Sequence, residues 1–108
     1  MDSYKTYSDE QLIRLLKVND EGAFTEIYLR YWKRLFVVGV NKIEDLQLAE
    51  EIVQDIFTDI WNRRFEIEFE GNLMPYLAAA MKYKVIDARL KKQRIKSKEL
   101  KISHSDRN

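Results

Sequence analysis

The sequence predicts an all-α fold, a compact bundle of about four helices with an ordered loop before the last helix. Composition supports this fold class, because three Gly and one Pro stand among 108 residues that are rich in helix-forming Leu, Ile, Glu, Lys and Gln. Periodicity also supports it, since apolar residues recur at steps of three and four along most of the chain. A chain of this length corresponds to one domain.

The first two helices are marked by their capping residues. Ser8 and Gln11 form a capping box before the first apolar stripe, and Asp20 caps a second helix over about residues 21–41. Gly39 either allows close packing against another helix or marks fraying of the helix end. The apolar stripe of the second helix comprises Phe24, Ile27, Tyr28, Tyr31, Leu35 and Val38, widened by Trp32 and Phe36.

The third helix, capped by Asp45, has two chemically different faces. From Glu44 to Asp59 it carries acidic residues and no basic one. Its apolar stripe is Ala49, Ile52, Val53, Ile56, Phe57, Ile60 and Trp61, and its opposite face is Glu50, Glu51, Gln54, Asp55, Thr58 and Asp59. We expect Trp61, Phe57 and the group Tyr28, Tyr31 and Trp32 to belong to the core.

The stretch 65–72 precedes the last helix. Three apolar residues alternate there with glutamates, which ordinarily favours a strand. A single strand in a helical chain has no partner, so we expect an ordered loop that turns at Gly71. Asn72 caps the last helix, which runs to about Lys98 with Pro75 in its first turn. The folded domain would then cover 1–96, and 97–108 would be a polar tail or the start of a linker.

Charge is distributed unevenly. Residues 82–101 contain nine basic and two acidic side chains, an imbalance typical of a surface that meets a polyanion. The absence of Cys excludes disulfides, thiolate metal sites and a cysteine nucleophile. The polar N-terminus is unlike a signal peptide, and no apolar run approaches the roughly 20 residues that span a bilayer. We therefore expect a soluble cytoplasmic protein with no cofactor and no enzymatic activity.

Three stretches together resemble region 2 of an extracytoplasmic-function sigma factor of the sigma-70 family. They are AFTEIYLRYWKRLF (23–36), AEEIVQDIFTDIWNRR (49–64) and MPYLAAAMKYKVIDARLKKQR (74–94). The family pattern A-E-D-I-V-Q-D-x-F-x-x-x-W is matched at Ala49, Glu50, Ile52, Val53, Gln54, Asp55, Phe57 and Trp61, and the pattern of the last helix at Tyr76, Leu77 and Asp87. The family also carries a second domain, region 4, to which no stretch of this sequence corresponds. We expect the sequence to end in the linker toward that domain; the alternative is a protein that works with region 2 alone.

The resemblance implies a protein partner for the acidic helix. It predicts docking on the β′ clamp helices of core RNA polymerase through Glu50, Glu51, Gln54, Asp55, Thr58 and Asn62. An acidic strip orients a basic partner more than it adds affinity. The alternatives are a merely solvated helix face and a carboxylate metal site at Glu51, Asp55 and Asp59, although no His accompanies these three. An anti-sigma protein is a further partner that the resemblance implies.

The resemblance also implies promoter DNA as a partner, with the loop holding a base of the non-template strand of the −10 element. The predicted DNA-binding residues are Phe65, Ile67, Phe69, Gly71, Asn72, Lys82, Tyr83, Lys84, Arg89, Lys91, Lys92 and Arg94. Phe65 and Phe69 either contact a base or plug the core beneath the loop. The family often has Asn where this chain has Tyr83, and Arg where this chain has Leu90, so the sequence departs from the family pattern at these two positions. The other function to weigh is a helical protein-interaction module without specific DNA recognition.

Overall fold

The computed structural model describes residues 3–68 and 70–105, and over these residues the chain is all-helical without a strand. This confirms the predicted fold class and the interpretation of the alternating stretch as a loop. A 3₁₀ turn at Ser3–Thr6 precedes four α-helices. These are α1 Asp9–Leu16, α2 Glu21–Ile43, α3 Leu46–Asn62 and α4 Met74–Ser105.

The first three helices begin where their capping residues predict. The Ser8 Oγ accepts from the Gln11 amide at 3.2 Å, and the Gln11 Oε1 accepts from the Ser8 amide at 2.8 Å. The carboxylates of Asp20 and Asp45 each accept from the amide three residues on, at 3.1 Å. Each cap satisfies an amide that has no partner within its helix, which explains why local sequence locates these helix starts.

The central element is α2, which packs against each of the other three helices. It buries one narrow stripe at steps of four residues, while α3 buries a broader stripe at steps of three and four. Because α2 touches all its neighbours, the apolar stripes of the four helices meet in a single core. The fully buried large side chains of that core are Phe57, Leu12, Leu16, Ile27, Leu35, Ile56, Ile60, Leu73, Leu77 and Met81.

Gly39 lies where α2 packs closely against α3 and α4. A Cβ placed there would lie 2.9 Å from the Met81 Cε and 3.5 Å from the Ala49 Cβ. The helix continues beyond it to Ile43, so the expectation of fraying is wrong and that of close packing is confirmed. Glu44 ends α2 in the left-handed conformation, with φ of 53°.

The last helix is longer than predicted. It continues to Ser105, through most of the stretch expected to fray after Lys98. No Gly or Pro follows Pro75, and Lys, Arg, Glu and Leu all favour a helix, so nothing local stops it. The side chains of 89–99 are all exposed, because this half of α4 extends past the bundle.

Aromatic side chains expected in the core fall into two groups. Phe57 and Tyr31 are buried, whereas Tyr28, Trp32 and Trp61 pack against the core with part of each ring exposed. The half-buried rings therefore contribute to the surface as well as to stability. Among the described residues, no helix combines the length and apolar character that crossing a membrane requires.

Candidate functional site

The outer face of α3 carries all the residues predicted to bind polymerase. Each is exposed, and none of these side chains forms an ion pair or a side-chain hydrogen bond within the described part of the chain. The face comprises Glu50, Glu51, Gln54, Asp55, Thr58 and Asn62. A strip of uncompensated carboxylates is thus available to a basic partner.

An aromatic groove runs along one side of this acidic face. It encloses about 200 Å³ between Tyr28, Trp32 and Phe36 of α2 and Glu50, Val53 and Gln54 of α3. The rings of Tyr28 and Trp32 are stacked, with centroids 6.4 Å apart. Sequence reasoning assigned these aromatics to the core and missed the groove. The unusually wide apolar stripe of α2 was the available signal, because a stripe wider than one contact face leaves its margin at the surface.

The alternative role for the acidic face is a carboxylate metal site. Among the described residues, no group of three or more His, Cys, Asp or Glu side chains could hold a metal ion. Asp59 is directed instead toward α4, where its Oδ2 lies 2.9 Å from the Lys84 Nζ. The alternative of a site at Glu51, Asp55 and Asp59 therefore finds no support in this geometry.

The predicted DNA-binding residues of α4 divide into free and engaged side chains. Lys84 pairs with Asp59, and Arg89 donates to the main-chain carbonyl of Lys42 in the last turn of α2. That carbonyl belongs to the set that helix ends leave without a partner, so Arg89 acts there as a helix cap. The exposed members without such contacts in the described residues are Lys82, Tyr83, Lys91, Lys92 and Arg94.

Phe65 is exposed and stacked on a cation. The Arg64 guanidinium carbon lies 4.4 Å from the centroid of the Phe65 ring and 4.2 Å from that of Trp61. Phe65 is 61% exposed, so it does not plug the core beneath the loop. One face of its ring rests on Arg64, and an aromatic surface remains available to solvent.

The rest of the loop is less open than its sequence suggests. Ile67 is 6% exposed and belongs to the core, so its side chain cannot contact a base in this conformation. Phe69 lies outside the described residues. Gly71, with φ of +87°, and Asn72 are both exposed. The Gly71 amide donates to the Glu10 Oε1 at 2.7 Å, and the Asn72 Oδ1 accepts from the Met74 amide at 3.0 Å.

Asp9 is the buried carboxylate that sequence reasoning missed. It is 5% exposed, and its Oδ1 accepts from the Arg30 Nη1 at 3.0 Å. Its Oδ2 accepts from the Tyr31 hydroxyl and, at 2.6 Å, from the Leu73 amide. Burial, followed by the hydrogen bond to Asp9, raises the pKa of Tyr31 to about 12. The signal was present, because Asp9 precedes the apolar Leu12, Ile13 and Leu16 at helical spacing and therefore lies on the buried stripe of α1.

The chain has been compared with protein-family models, curated proteins and solved structures, and none of them matches it.

Proposed function

We propose that this chain is a promoter-recognition domain of the sigma-70 type, which binds core RNA polymerase and captures an opened −10 element. The observation that carries the proposal is the way the resemblance motif divides between core and surface. Ala49, Ile52, Val53 and Phe57 are buried. The polar members Glu50, Gln54 and Asp55 are exposed and have no side-chain partner among the described residues.

This division supports a role beyond folding for the polar half of the motif. Buried motif residues are accounted for by packing, whereas unpaired carboxylates on one helix face contribute little to stability. In the proposal, Glu51 and Asp55 face basic residues of the β′ clamp helices, and the aromatic groove beside Glu50 receives apolar side chains of the same partner. Apolar contacts supply affinity at such an interface, while the carboxylates orient the partner.

The arrangement of α4 and the loop supports the nucleic-acid part of the proposal. Lys82, Lys91 and Lys92 are exposed cations that would pair with phosphates and position the strand without reading its sequence. Phe65 offers an exposed ring on which an unstacked base could pack. The proposed role requires no catalytic acid, base or nucleophile in this chain, because catalysis would belong to the polymerase. The proposed site of action is the bacterial cytoplasm, with an anti-sigma protein as a competitor for the acidic face.

A second candidate function is that of a helical protein-interaction module. The engagement of Lys84 and Arg89 in intramolecular contacts favours it, because these cations are less available to phosphate. A module of this kind would use the acidic face and its groove, and would not prefer any DNA sequence.

The proposed docking is tested by capture of core RNA polymerase on the immobilised chain. We expect the wild type to retain polymerase and the Asp55→Lys variant to lose it, because the substitution places a cation against a basic partner. Glu99→Lys makes the same change of charge on the exposed surface of α4 and serves as the matched control. Equal capture by wild type and Asp55→Lys would contradict the docking face, and no capture by any of the three would contradict polymerase binding.

A further inference from the structure

Helix α1 and the turn that follows it contact both ends of the loop that the proposed function places on DNA. Just after α1, the Asn19 Oδ1 accepts from the Arg64 Nε at 3.0 Å and from its Nη2 at 2.7 Å. In the first turn of α1, the Glu10 Oε1 accepts from the Gly71 amide at 2.7 Å. Its neighbour Asp9 accepts from the Leu73 amide at 2.6 Å. The start of the loop is therefore bonded to the turn after α1, and its end is bonded to the first turn of α1.

The helix that makes these contacts is itself firmly held. Its capping box satisfies its first amides, and Leu12 and Leu16 are fully buried in the core. Asn19 has φ of +63°, a left-handed conformation that directs the chain from α1 into α2. Because α1 cannot shift without disturbing the core, the groups bonded to it hold the loop ends at a set separation.

The contact at the start of the loop also fixes its exposed aromatic ring. Arg64 is bonded to Asn19 on one side and to the main-chain carbonyl of Trp61, at 2.7 Å, on the other. Phe65 stacks on the same guanidinium. Loss of the Asn19 contact would free Arg64 to rotate, and the ring that rests on it would lose its orientation.

We propose that α1 and the turn after it form a brace for the loop, with Glu10 and Asn19 as positioning residues that set its shape for an unstacked nucleobase. The inference rests on the proposed function. Neither residue needs to touch DNA for this role. A loop held in its binding shape avoids the entropy cost of ordering when the base arrives, so a loosened loop binds more weakly. Asp9 belongs to the same brace, but its burial makes its variants unsuitable for separating binding from folding.

The charge of Glu10 and its proposed role in the brace predict opposite changes in DNA affinity when Glu10 is replaced. The brace can therefore be tested by substitution. Removal of a negative charge close to a polyanion raises affinity, whether Ala or Gln replaces the glutamate. Removal of an acceptor that holds the Gly71 amide lowers affinity, and Gln retains such an acceptor. For Glu10→Ala, charge removal predicts higher DNA affinity and the brace predicts lower affinity. For Glu10→Gln, charge removal again predicts higher affinity, whereas the brace predicts an affinity close to that of wild type.

The experiment begins with the full chain and a pool of randomised single-stranded DNA, from which the wild type selects its best-bound strand. Fluorescence anisotropy then measures the Kd of that strand for each variant. We expect Glu10→Ala to raise Kd about tenfold, and Glu10→Gln to stay within about twofold of wild type. Glu21→Ala is the matched control, since Glu21 is an exposed first-turn glutamate of α2 with no ion pair among the described residues.

The second arm tests the other end of the brace without straining the backbone. Asn19→Gly keeps the left-handed conformation and removes the acceptor, whereas Asn19→Asp keeps an acceptor for Arg64. We expect a severalfold higher Kd for Asn19→Gly and a Kd near that of wild type for Asn19→Asp. Amide exchange at Gly71 provides a readout that is independent of DNA, and it should be faster in Glu10→Ala than in Glu10→Gln.

The outcomes separate the brace from the proposed function. If wild type, Glu10→Ala and Asn19→Gly bind the enriched strand equally, the brace is overturned and the proposed function is not. Higher affinity in both Glu10 variants would overturn it in favour of simple charge repulsion. Failure of the pool to enrich any strand would overturn the DNA part of the proposed function, and the brace with it.

Discussion

The carboxylate of Asp9 in α1 and the carboxylates on the outer face of α3 occupy opposite environments. Asp9 is 5% exposed and accepts hydrogen bonds from Arg30, Tyr31 and the Leu73 amide. Glu51 and Asp55 are exposed and have no side-chain partner within the described residues. One carboxylate joins three parts of the chain, while the others face outward with their charge uncompensated.

This difference separates structural acids from acids available to a partner. A buried carboxylate that is fully hydrogen-bonded cannot be removed without leaving its donors unsatisfied, so its loss appears as lost stability. An exposed and unpaired carboxylate has little to lose on substitution, so its effect is expected in binding. Substitution of the buried acid should therefore lower the free energy of unfolding. Substitution of the exposed acids should leave the free energy of unfolding nearly unchanged and should affect binding instead.

Asp9→Ala should produce the largest loss of stability. It removes the ion pair with Arg30 and leaves the Tyr31 hydroxyl and the Leu73 amide without their acceptor. We expect the free energy of unfolding to fall by about 3 kcal/mol. Urea unfolding followed by circular dichroism measures this change, and Glu51→Ala, which removes an exposed carboxylate without a partner in the described residues, is the control. A loss of less than about 1 kcal/mol would show that the buried carboxylate is not structurally required.

The pH dependence of stability should report the same buried pair. The pKa of Tyr31 is raised to about 12 from an ordinary value of 10. A raised pKa in the folded state means that the stabilisation is complete below pH 10 and is lost as the pH rises toward 12. Between these limits, wild type should lose roughly 2 kcal/mol more than Tyr31→Phe. Parallel losses in the two proteins would contradict the assignment, because other titrating groups are common to both.

Reversal of charge on the acidic face should have the smallest effect on stability. Glu51→Lys and Asp55→Lys change exposed side chains without partners, so the free energy of unfolding should stay within about 0.5 kcal/mol of wild type. Thermal and urea unfolding of both variants provide the measurement. A marked loss in either would mean that the face contributes to folding, and the loss of polymerase capture by Asp55→Lys could then no longer be assigned to docking.

The sequence predicted the helices well because their signals are local. Ser8, Asp20 and Asp45 each bond an amide three residues away, so cap and helix start appear together in the sequence. The exposure of the polar face of α3 followed from its periodicity in the same way. The extent of α4 was less well predicted, since a polar stretch of strong helix formers contains no residue that marks an end.

The burial of side chains in the loop did not follow from the sequence pattern. A period of two places Phe65 and Ile67 on the same face, yet one is 61% and the other 6% exposed. The reason is a turn at 63–66, in which the Glu66 amide donates to the Arg63 carbonyl at 2.9 Å. A turn rotates successive side chains differently from a strand, so the alternation of apolar and acidic residues did not determine which of the two apolar side chains would be buried.

By itself, the sequence determined the all-α class, the starts of three helices and the separation of an acidic face from a basic helix. These features depend on side chains within a few residues of one another. Only the tertiary structure decided that Asp9 joins α1 to α2 and the loop, that α1 and the turn after it contact both loop ends, and that Lys84 and Arg89 are engaged. Each of these contacts joins residues 21 to 64 positions apart, and such partners become neighbours only when the helices pack.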